Sequence, residues 1–361
     1  MEQDEFRPVL DADGPFVSVF LEDSHDTEDA GRQLDLKLRD IAARLREQGA
    51  DEATVDAVVT AVRDGERAVG RGGRGVVAAG GRVLLDRRLA GAPAVEVARV
   101  SARPYLLPFA SHGHAGVGYL LVLVDNRGAD LVSYDRDGRE VATETVTGED
   151  SPLHKVRGGG LAHTSMQASV EETRNQNIED VADRIAVLGP ELVLLAGEQQ
   201  SRRALHTKLA PALQEITREL SSGGRAAGAS RDDLRQEVET VLAEHRLQEL
   251  DGLAERYRMG LGRGDGLAVT GLADVVAALA AANVDTLLIG DPADTVVWVG
   301  ENTGEIATDR ESLRAFGVEG GHEQRVDEAL PWAALASGAS VTVMDERVEL
   351  KDGVGALLRH N

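Results

Sequence analysis

A basic, glycine-containing stretch gathers residue types that could contact a polyanion. It reads HKVRGGGLAH, and its positive, protonatable or glycine positions are His154, Lys155, Arg157, Gly158, Gly159, Gly160 and His163. Positive side chains pair with phosphates, and glycines let a backbone approach phosphates or bases closely. These residue types predict a probe that contacts RNA. The alternative is a mobile surface loop whose basic residues are accidental.

Two further groups of arginines are candidates for RNA contact. One group crowds a predicted hairpin and consists of Arg71, Arg74, Arg82, Arg87 and Arg88. It predicts either a second RNA-contacting edge or an ordinary solvated hairpin. The other group, Arg202 and Arg203, begins a predicted helix near a strand end, where the two side chains would meet RNA or solvent.

Carboxylates along a predicted meander raise the alternative of a metal-dependent RNA nuclease. They are Asp125, Asp130, Asp135 and Asp137. The sequences Asp-Asn-Arg-Gly and Asp-Arg-Asp-Gly are also typical turns, in which Asp bonds the local backbone, and this interpretation accounts for them. His112 and His114 lie two apart in a proline-bounded loop without a third ligand at fixed spacing, so no metal site is predicted there.

Sequence motifs for the common small-molecule chemistries are missing. The chain has no Ser-His-Asp order, Walker loop or dinucleotide fingerprint. The glycines of residues 70–75 follow a predicted helix and precede a predicted strand, which is the reverse of both phosphate motifs. We therefore expect no cofactor, no catalytic residue and no small-molecule substrate.

The elements that position these residues follow from periodicity. The first segment predicts a strand over 16–21, helices over 27–48 and 51–69, and a hairpin over 76–85. The second predicts three antiparallel strands from 119 to 146, a loop over 147–165 and a helix over 166–188. A strand over 192–197, a helix from 202 to 209 and a long charged helix from 232 to about 258 complete it.

The last segment alternates between helices and strands, with helices predicted over 271–282 and 326–337. The whole pattern predicts an α/β protein of three domains: 1–115, 116–262 and 263–361. The middle domain is expected to hold a mixed, RNase-H-like sheet with long helices and the glycine loop 154–163. The last is expected to be a small three-layer α/β domain.

Composition limits the function classes. The formal net charge is −23, with 39 Lys and Arg against 62 Asp and Glu, so RNA contact has to be local rather than spread over the surface. The chain contains no cysteine, which excludes disulfides and thiolate metal sites. The acidic start, MEQDEFRPVL, and the lack of a long apolar run predict a cytoplasmic protein with no membrane partner.

Three stretches, in matching order, resemble the archaeal and eukaryotic class I release factors and their Pelota relatives. GLADVVAALAAANVDTLLIG (271–290), with GASVTVMDE and GVGALLRH, resembles the third domain of that family. LVLLAG (192–197) resembles the strand after the long helix of the second domain. HKVRGGGLAH lies where the family carries its Gly-Gly-Gln loop. The bacterial, actinobacterial-type branch of the superfamily, which includes the Balon-type ribosome hibernation factors, is the most similar.

This resemblance implies a function that the composition alone does not. It implies binding to the 70S ribosome and large-subunit rRNA in the aminoacyl site, contact with elongation factor Tu, and protection of idle ribosomes. In release factors the glutamine after the paired glycines helps water attack the peptidyl-tRNA ester, whereas Gly160 stands here. We therefore expect a non-hydrolytic hibernation factor. An active rescue or release enzyme and a metal-dependent RNA nuclease are the alternatives.

Overall fold

The computed structural model describes residues 1–23, 29–65, 72–112, 117–136, 138–147, 161–223, 231–263 and 266–361, with side chains for all of these except 30, 112 and 161–174. They form a mixed α/β fold, which confirms the predicted class. The chain divides into two compact units, which we call unit 1 (Met1–Gly113 and Glu249–Asn361) and unit 2 (His114–Gln248).

The first part of unit 1 is an antiparallel sheet with helices. Its elements are α1 (Gln3–Leu10), β1 (Phe16–Glu22), α2 (Ala30–Glu47), α3 (Glu52–Asp64), β2 (Gly73–Ala79), β3 (Arg82–Leu89), β4 (Val97–Ser101) and α4 (Leu107–His112). The strands are ordered β3-β2-β1-β4. The predicted helix over 51–69 is shorter in the structure, with Asp51 as its N-cap: the carboxylate accepts a 2.9 Å hydrogen bond from the Thr54 N–H.

Strand β1 shows how one strand serves two cores. Val17, Val19 and Leu21 pack under α2 and α3. Phe16 and Phe20 point to the opposite face and join a second core. Because side chains alternate along a strand, both faces are apolar only when both are covered. The second face is covered by α1 and α4 of the same segment and by residues from the other end of the chain.

Unit 2 is built on one five-stranded sheet. Its elements are β5 (Tyr119–Val124), β6 (Gly128–Tyr134), β7 (Glu140–Thr147), α5 (Leu161–Leu188), β8 (Leu192–Gly197), α6 (Gln199–Lys208), α7 (Pro211–Glu215) and β9 (Thr217–Glu219). The strand order is β7-β6-β5-β8-β9. Strands β5, β8 and β9 pair in parallel, whereas β6 pairs antiparallel with both of its neighbours, β5 and β7. A mixed sheet is what the sequence predicted for this part.

Both faces of the unit 2 sheet are covered. Helices α5 and α6 pack on one face through Ile178, Val181, Ile185 and Leu205. The start of α8 (Arg231–Arg263) packs on the other through Leu234 and Val238. Tyr119 and Tyr134 stack on this second face with ring centroids 4.6 Å apart. Burial, followed by the nearby Tyr134, raises the pKa of Tyr119 above its usual value.

The last part of unit 1 contains a second mixed sheet and a small antiparallel one. Its elements are β10 (Ala268–Thr270), α9 (Leu272–Ala280), β11 (Val284–Ile289), β12 (Val296–Val299), β13 (Ile306–Ala307), α10 (Arg310–Ala315), β14 (His322–Arg325), α11 (Val326–Ala336), β15 (Ser340–Val343) and β16 (Val354–Leu358). The sheet orders are β10-β16-β11-β15 and β13-β12-β14. The motif GVGALLRH therefore holds strand β16, which lies inside a sheet.

The second mixed sheet is the middle of three layers. Helices α9 and α11 pack on one face with Leu287 and Ile289. The end of α8 packs on the other face, where Tyr257 is fully buried against a cluster containing Leu288 and Leu357. This arrangement agrees with the three-layer α/β domain that the sequence predicted.

Helix α11 joins the two ends of the chain in one core. Its residues from Val326 to Leu335 are all buried, as expected of a helix with packing on every side. Trp332 lies 5.7 Å from the ring of Phe16 on β1. The first and last segments thus share a core, while the predicted division into domains 1–115, 116–262 and 263–361 stays a prediction.

Charged side chains also connect these two segments. The Arg99 guanidinium on β4 donates to Asp327 at 3.0 Å and to Glu328 at 3.4 Å, and stacks 4.0 Å above the ring of Tyr105. Asp327 also accepts hydrogen bonds from Arg325, which donates a further hydrogen bond to Asp294. Burial, and then the charge of Asp327, raises the pKa of Glu328. We call these residues the α11 charge cluster.

Candidate functional site

The glycine-containing stretch lies between two described elements of unit 2. Strand β7 ends at Thr147 and helix α5 begins at Leu161. The segment between them, 148–160, lies outside the described residues, and it includes the predicted site residues His154, Lys155, Arg157, Gly158, Gly159 and Gly160. The structure therefore defines the framework from which this segment departs and to which it returns.

His163 lies in the first turn of α5 rather than on a loop, and its side chain is outside the described residues. The predicted loop over 147–165 is too long at its carboxyl end. Leu161 and Ala162 are good helix formers that directly follow the glycines.

Four strand ends define the base of the segment. Val124, the last residue of β5, pairs with Gly197, the last residue of β8. Gly128, the first residue of β6, pairs with Thr147, the last residue of β7. The β5–β6 turn, the start of α6 and the departure of residue 148 therefore lie at one edge of the sheet, which we call the strand-end edge.

Two glycines shape this edge. A Cβ on Gly128 would lie 2.0 Å from the Val146 carbonyl oxygen, and one on Gly197 would lie 2.0 Å from that of Val124. Their φ angles are 152° and 116°, which L side chains rarely adopt. Both positions thus require glycine so that neighbouring backbones can approach closely.

The helix that follows the segment is fixed to the sheet. The Arg184 guanidinium on α5 donates to both carboxylate oxygens of Glu144 on β7, with a shortest distance of 2.7 Å. The hydrogen bond to Glu144 raises the pKa of Arg184. Ile178, Val181 and Ile185 bury the same helix against the sheet. The second half of α5 is therefore held against the sheet by packing and hydrogen bonds.

Three arginines lie on the strand-end edge. Arg127 is in the β5–β6 turn, and Arg202 and Arg203 are in the first turns of α6. None forms an ion pair with a carboxylate in the part of the chain that the structure describes. The Nε atom of Arg202 is buried and has no hydrogen-bond partner there. Arg127 was missed as a candidate; it directly precedes Gly128, which pairs with Thr147 at the end of β7.

The meander carboxylates act in turns. The Asp125 carboxylate accepts hydrogen bonds from the N–H groups of Arg127 at 2.8 Å and Gly128 at 3.1 Å. Asp135 accepts from the Arg139 N–H at 2.9 Å, and Asp130 accepts from the Thr145 hydroxyl at 2.9 Å. The turn interpretation is therefore supported for Asp125 and Asp135, while Asp137 is outside the described residues. No group of three or more His, Asp or Glu suited to a metal ion occurs among the described residues.

Two arginines of the predicted basic hairpin are used inside the protein. Arg74 is buried and donates to both carboxylate oxygens of Asp86, at 2.7 and 2.6 Å. Burial lowers the pKa of Arg74, but hydrogen bonds and charge from Asp86, together with Asp23, outweigh it and leave the pKa raised. Arg87 lies over the Phe6 ring and pairs with Glu5. These two side chains are therefore unsuited to RNA contact.

The remaining members of these groups are only partly described. Arg82 is exposed and Arg88 is half-buried. Arg71 and His114 lie outside the described residues, as does the side chain of His112. The described chain has no helix that is apolar over a length sufficient to cross a bilayer.

Solved structures of archaeal factors align with most of the chain at low identity. The archaeal translation termination factor aRF1 is 15% identical, covers 99% of this chain and 98% of its own, and has a TM-score of 0.26. Pelota of Archaeoglobus fulgidus is 16% identical over 81% of this chain and 84% of its own, with a TM-score of 0.38. In a model of ribosome-bound archaeal Pelota and ABCE1, a chain is 17% identical over 99% and 94%, with a TM-score of 0.38. At these values the likeness identifies no function.

Sequence comparison is more specific. The uncharacterized protein Rv2629 of Mycobacterium tuberculosis strain H37Rv is 34% identical over 365 residues, covering 100% of this chain and 97% of the relative. MT2704 of strain CDC 1551 matches to the same extent. The family model called bacterial archaeo-eukaryotic release factor family 2 matches residues 118–263, which include the whole strand-end edge and the glycine-containing stretch. The chain belongs to this family of bacterial archaeo-eukaryotic release factors.

Proposed function

We propose that the protein is a ribosome-binding factor that occupies the aminoacyl site of idle 70S ribosomes without hydrolysing peptidyl-tRNA. Residues 154–163 would be directed to the peptidyl-transferase centre of the large subunit. The proposal is that of a hibernation factor in the cytoplasm, bound mainly to rRNA. Family membership supports a role in translation, and the glycine-containing stretch supports the finer assignment.

The observation that carries the non-hydrolytic role is the glycine at position 160. Gly158, Gly159 and Gly160 are the last three residues before α5, where the resemblance places Gly-Gly-Gln. Removing one oxyanion-hole donor typically costs about 2.7–4 kcal/mol of transition-state stabilisation. Three successive glycines also carry a large entropy cost of ordering, so a backbone N–H alone would be a poorly placed donor.

The docking role is supported by local charge. Residues 151–170 contain no Asp or Glu, in a chain with 62 of these residues. Within this stretch lie Lys155 and Arg157, together with His154 and His163. The stretch itself thus carries positive but no negative side chains, between Glu149-Asp150 before it and Glu171-Glu172 after it. This is the local exception that RNA binding requires of a chain with such a negative net charge.

Ribosome binding is tested by sedimentation of the purified protein with 70S ribosomes over a series of salt concentrations. We expect binding at low salt and release as salt rises, because each phosphate contact releases counterions. Lys155→Glu with Arg157→Glu should weaken binding and flatten the salt dependence by about two units of slope. Arg256→Glu with Arg263→Glu is the control, since both arginines are exposed on α8. If both double variants weakened ribosome binding equally, residues 154–163 would be an ordinary surface segment without a specific role in binding.

The absence of hydrolysis is tested with ribosomes that carry labelled peptidyl-tRNA. The wild-type protein should release peptide no faster than a reaction without factor. Gly160→Gln restores the family glutamine and is the informative companion, because any gain of release isolates the missing side chain as the cause. Release by the wild-type protein well above the background would favour the rescue-enzyme alternative.

The aminoacyl site and elongation factor Tu are tested by competition. Aminoacyl-tRNA, delivered by elongation factor Tu, should displace the protein, and the protein should reduce aminoacyl-tRNA binding to the same extent. Adding elongation factor Tu without tRNA should increase the fraction of bound protein if the factor is a partner. Full simultaneous occupancy by the protein and aminoacyl-tRNA would contradict the proposed placement.

A further inference from the structure

Most sheet edges of this protein are short or are covered by another part of the chain. On edge strand β4, the Gln48 side chain donates to the Ala98 carbonyl and accepts from the Val100 N–H, both at 2.9 Å. On edge strand β15, Met1 donates to and accepts from the main chain of Val341. Edge strands β9, β10, β13 and β14 are only two to four residues long. Short or covered edges leave few backbone groups free to pair with another chain.

Strand β7 is different. It is 8 residues long, as is β3, and in the described structure it pairs only with β6. Whereas β3 carries three arginines, β7 reads EVATETVT and contains neither lysine, arginine nor proline. A register shift leaves Val141 unpaired, but residues 142–147 pair with β6 without interruption. Because lysine, proline and bulges are the usual protection of edge strands, residues 142–147 form an unprotected edge, which we call the β7 edge.

Side chains of the β7 edge are open to solvent. Six of its strand's residues are exposed and the other two, Glu144 and Val146, are half-buried. The side chain of Val141 is 61% exposed. Valine and threonine, which make up five of the eight residues of the strand, favour extended backbone. The strand therefore has the conformation, the length and the access that the addition of a further strand requires.

Acidic groups lie on both faces of the β7 edge. On the face covered by α5 lies Glu144, and Asp180 is exposed on the helix one turn before Arg184, the partner of Glu144. On the other face, Asp130 of β6 accepts a 2.9 Å hydrogen bond from the Thr145 hydroxyl. The strand itself contributes two carboxylates and no positive charge. A chain that pairs with this edge thus meets negative charge above and below the sheet.

This charge decides which kind of chain fits the edge. A second copy of the protein would bring Glu140 and Glu144 of both strands into one sheet, and like charges on neighbouring strands are unfavourable. Two copies also repel each other at long range, because each has a net charge of −23. A basic extended segment has neither disadvantage. Its lysine and arginine side chains can reach Glu140 and Asp180 while its main chain pairs with residues 142–147.

We propose that the β7 edge binds a basic, extended polypeptide segment of a partner protein, which adds to the sheet of unit 2 as a further strand beside β7. Backbone hydrogen bonds supply the affinity, and the acidic side chains select lysine and arginine. On the α5 face, small apolar side chains of the segment lie beside Ala142 and Val146. The β7 edge has this role whether or not residues 154–163 contact rRNA.

The probe for this site is a fluorescein-labelled synthetic peptide in which valine alternates with lysine and threonine. One matched peptide has glutamate in place of every lysine, and another carries N-methyl groups on its central backbone amides. Fluorescence polarisation measures binding to the full-length protein, and hydrogen–deuterium exchange locates the bound peptide. The edge variant is Ala142→Lys with Thr143→Lys. The control, Gln33→Lys with Ala43→Lys, adds the same charge at exposed positions of α2.

We expect the wild-type protein to bind the basic peptide saturably, with slower exchange over residues 140–147. The N-methylated peptide should bind at least about tenfold more weakly, because it keeps the charge but cannot form the backbone hydrogen bonds. The glutamate peptide should not bind. The edge variant should bind the basic peptide several-fold more weakly than the control variant, since lysine on an edge strand opposes pairing and repels a basic segment. Circular dichroism establishes that both variants are folded.

Four results would overturn the proposal. The first is a failure of the wild-type protein to bind the basic peptide. The second is equal binding of the methylated and unmethylated peptides, which would reduce the contact to charge attraction. The third is binding that leaves exchange over residues 140–147 unchanged or that both lysine variants weaken equally, which would place the peptide elsewhere. The fourth is sedimentation of the wild-type protein as a dimer that the edge variant dissociates, which would assign the β7 edge to a second copy.

Discussion

Replacing Arg99 by Met tests whether the α11 charge cluster holds the first segment of the chain on the last. The change keeps most of the apolar stem and removes the charge. Glu328 and Asp327 have side chains only 2% and 8% exposed, so the loss of Arg99 leaves buried carboxylates. Asp327 keeps Arg325 at 3.0 Å, whereas among the described residues Glu328 keeps only the hydrogen bond from Gln324.

The expected loss of stability follows from the distance and exposure of the Arg99–Glu328 pair. At 3.4 Å and an effective dielectric constant near 20, the gross attraction between Arg99 and Glu328 is about 5 kcal/mol before desolvation. Removing one partner of a buried pair typically costs about 3–5 kcal/mol. The Arg99 side chain is 30% exposed, so solvent screens part of this interaction. We therefore expect a loss of about 2–3 kcal/mol in the free energy of unfolding of unit 1.

Tryptophan fluorescence during urea unfolding is the appropriate assay. The chain has 2 tryptophans, Trp298 and Trp332, and both belong to unit 1. The signal therefore follows this unit even when unit 2 unfolds separately. Arg39→Met, at an exposed position of α2, is the control and should change stability by less than about 0.5 kcal/mol. Equal urea midpoints for the two variants would refute the reasoning.

The raised pKa of Glu328 determines how the stability loss of the Arg99→Met variant changes with pH. Burial and Asp327 raise the pKa of Glu328 above 4.5, while Arg99 lowers it, so the Arg99→Met variant should have a still higher pKa at Glu328. A raised folded-state pKa means that the folded protein binds the proton more tightly than the unfolded chain. Stability from this group is complete below the ordinary glutamate pKa and is lost as pH rises through the folded pKa. The difference in unfolding free energy between the wild-type protein and the Arg99→Met variant should therefore become smaller as the pH falls from 7 towards the pKa of Glu328.

Two further predictions concern stability. Glu328→Gln removes the buried charge but leaves an oxygen that can accept hydrogen bonds from Gln324 and Arg99. Unit 1 should therefore be at least as stable at pH 7 and should lose the pH dependence assigned to Glu328. In the same fluorescence assay, a stability loss above about 1 kcal/mol would contradict this expectation. Gly128→Ala should lower the thermal midpoint of unit 2, because the new Cβ would meet the Val146 carbonyl oxygen. Gly252→Ala on α8 is the comparison: its Cβ would meet no neighbouring group, so this change should stabilise the helix by about 0.5–1 kcal/mol. Similar shifts for both, measured by circular dichroism, would show that close approach at Gly128 is unimportant.

Sequence patterns located the strands of unit 2 well. The observed bounds of β5 and β8 are those predicted, because each is a continuous apolar run bounded by a turn. The mixed sheet and the three-layer arrangement of the last segment followed from the order of such runs. Short elements were missed, including α1, β13 and α10. They contain too few residues for a period to be visible.

Long-range pairing could not be read from the sequence. Arg74 was a candidate RNA contact because it belongs to an arginine-rich predicted hairpin, yet it is buried with Asp86 and near Asp23. The core shared by Phe16 and Trp332 joins residues more than 300 positions apart, and no local pattern encodes such a contact. The glycine-containing stretch was found from its residue types and its resemblance, but the strand-end edge needed the strand register.

The shared core of unit 1 has a consequence for synthesis. Unit 2 comprises residues 114–248, so its full sequence is available while the last third of the chain is still being translated. Phe20 finds its ring partners Tyr105 and Phe109 within the first segment, whereas Phe16 has to wait for Trp332 on α11. At roughly 5–20 residues per second, about 12–50 s separate residue 113 from residue 361. During this interval Phe16 lacks its ring partner, so the nascent amino-terminal segment presents an apolar side chain that chaperones at the exit tunnel can bind.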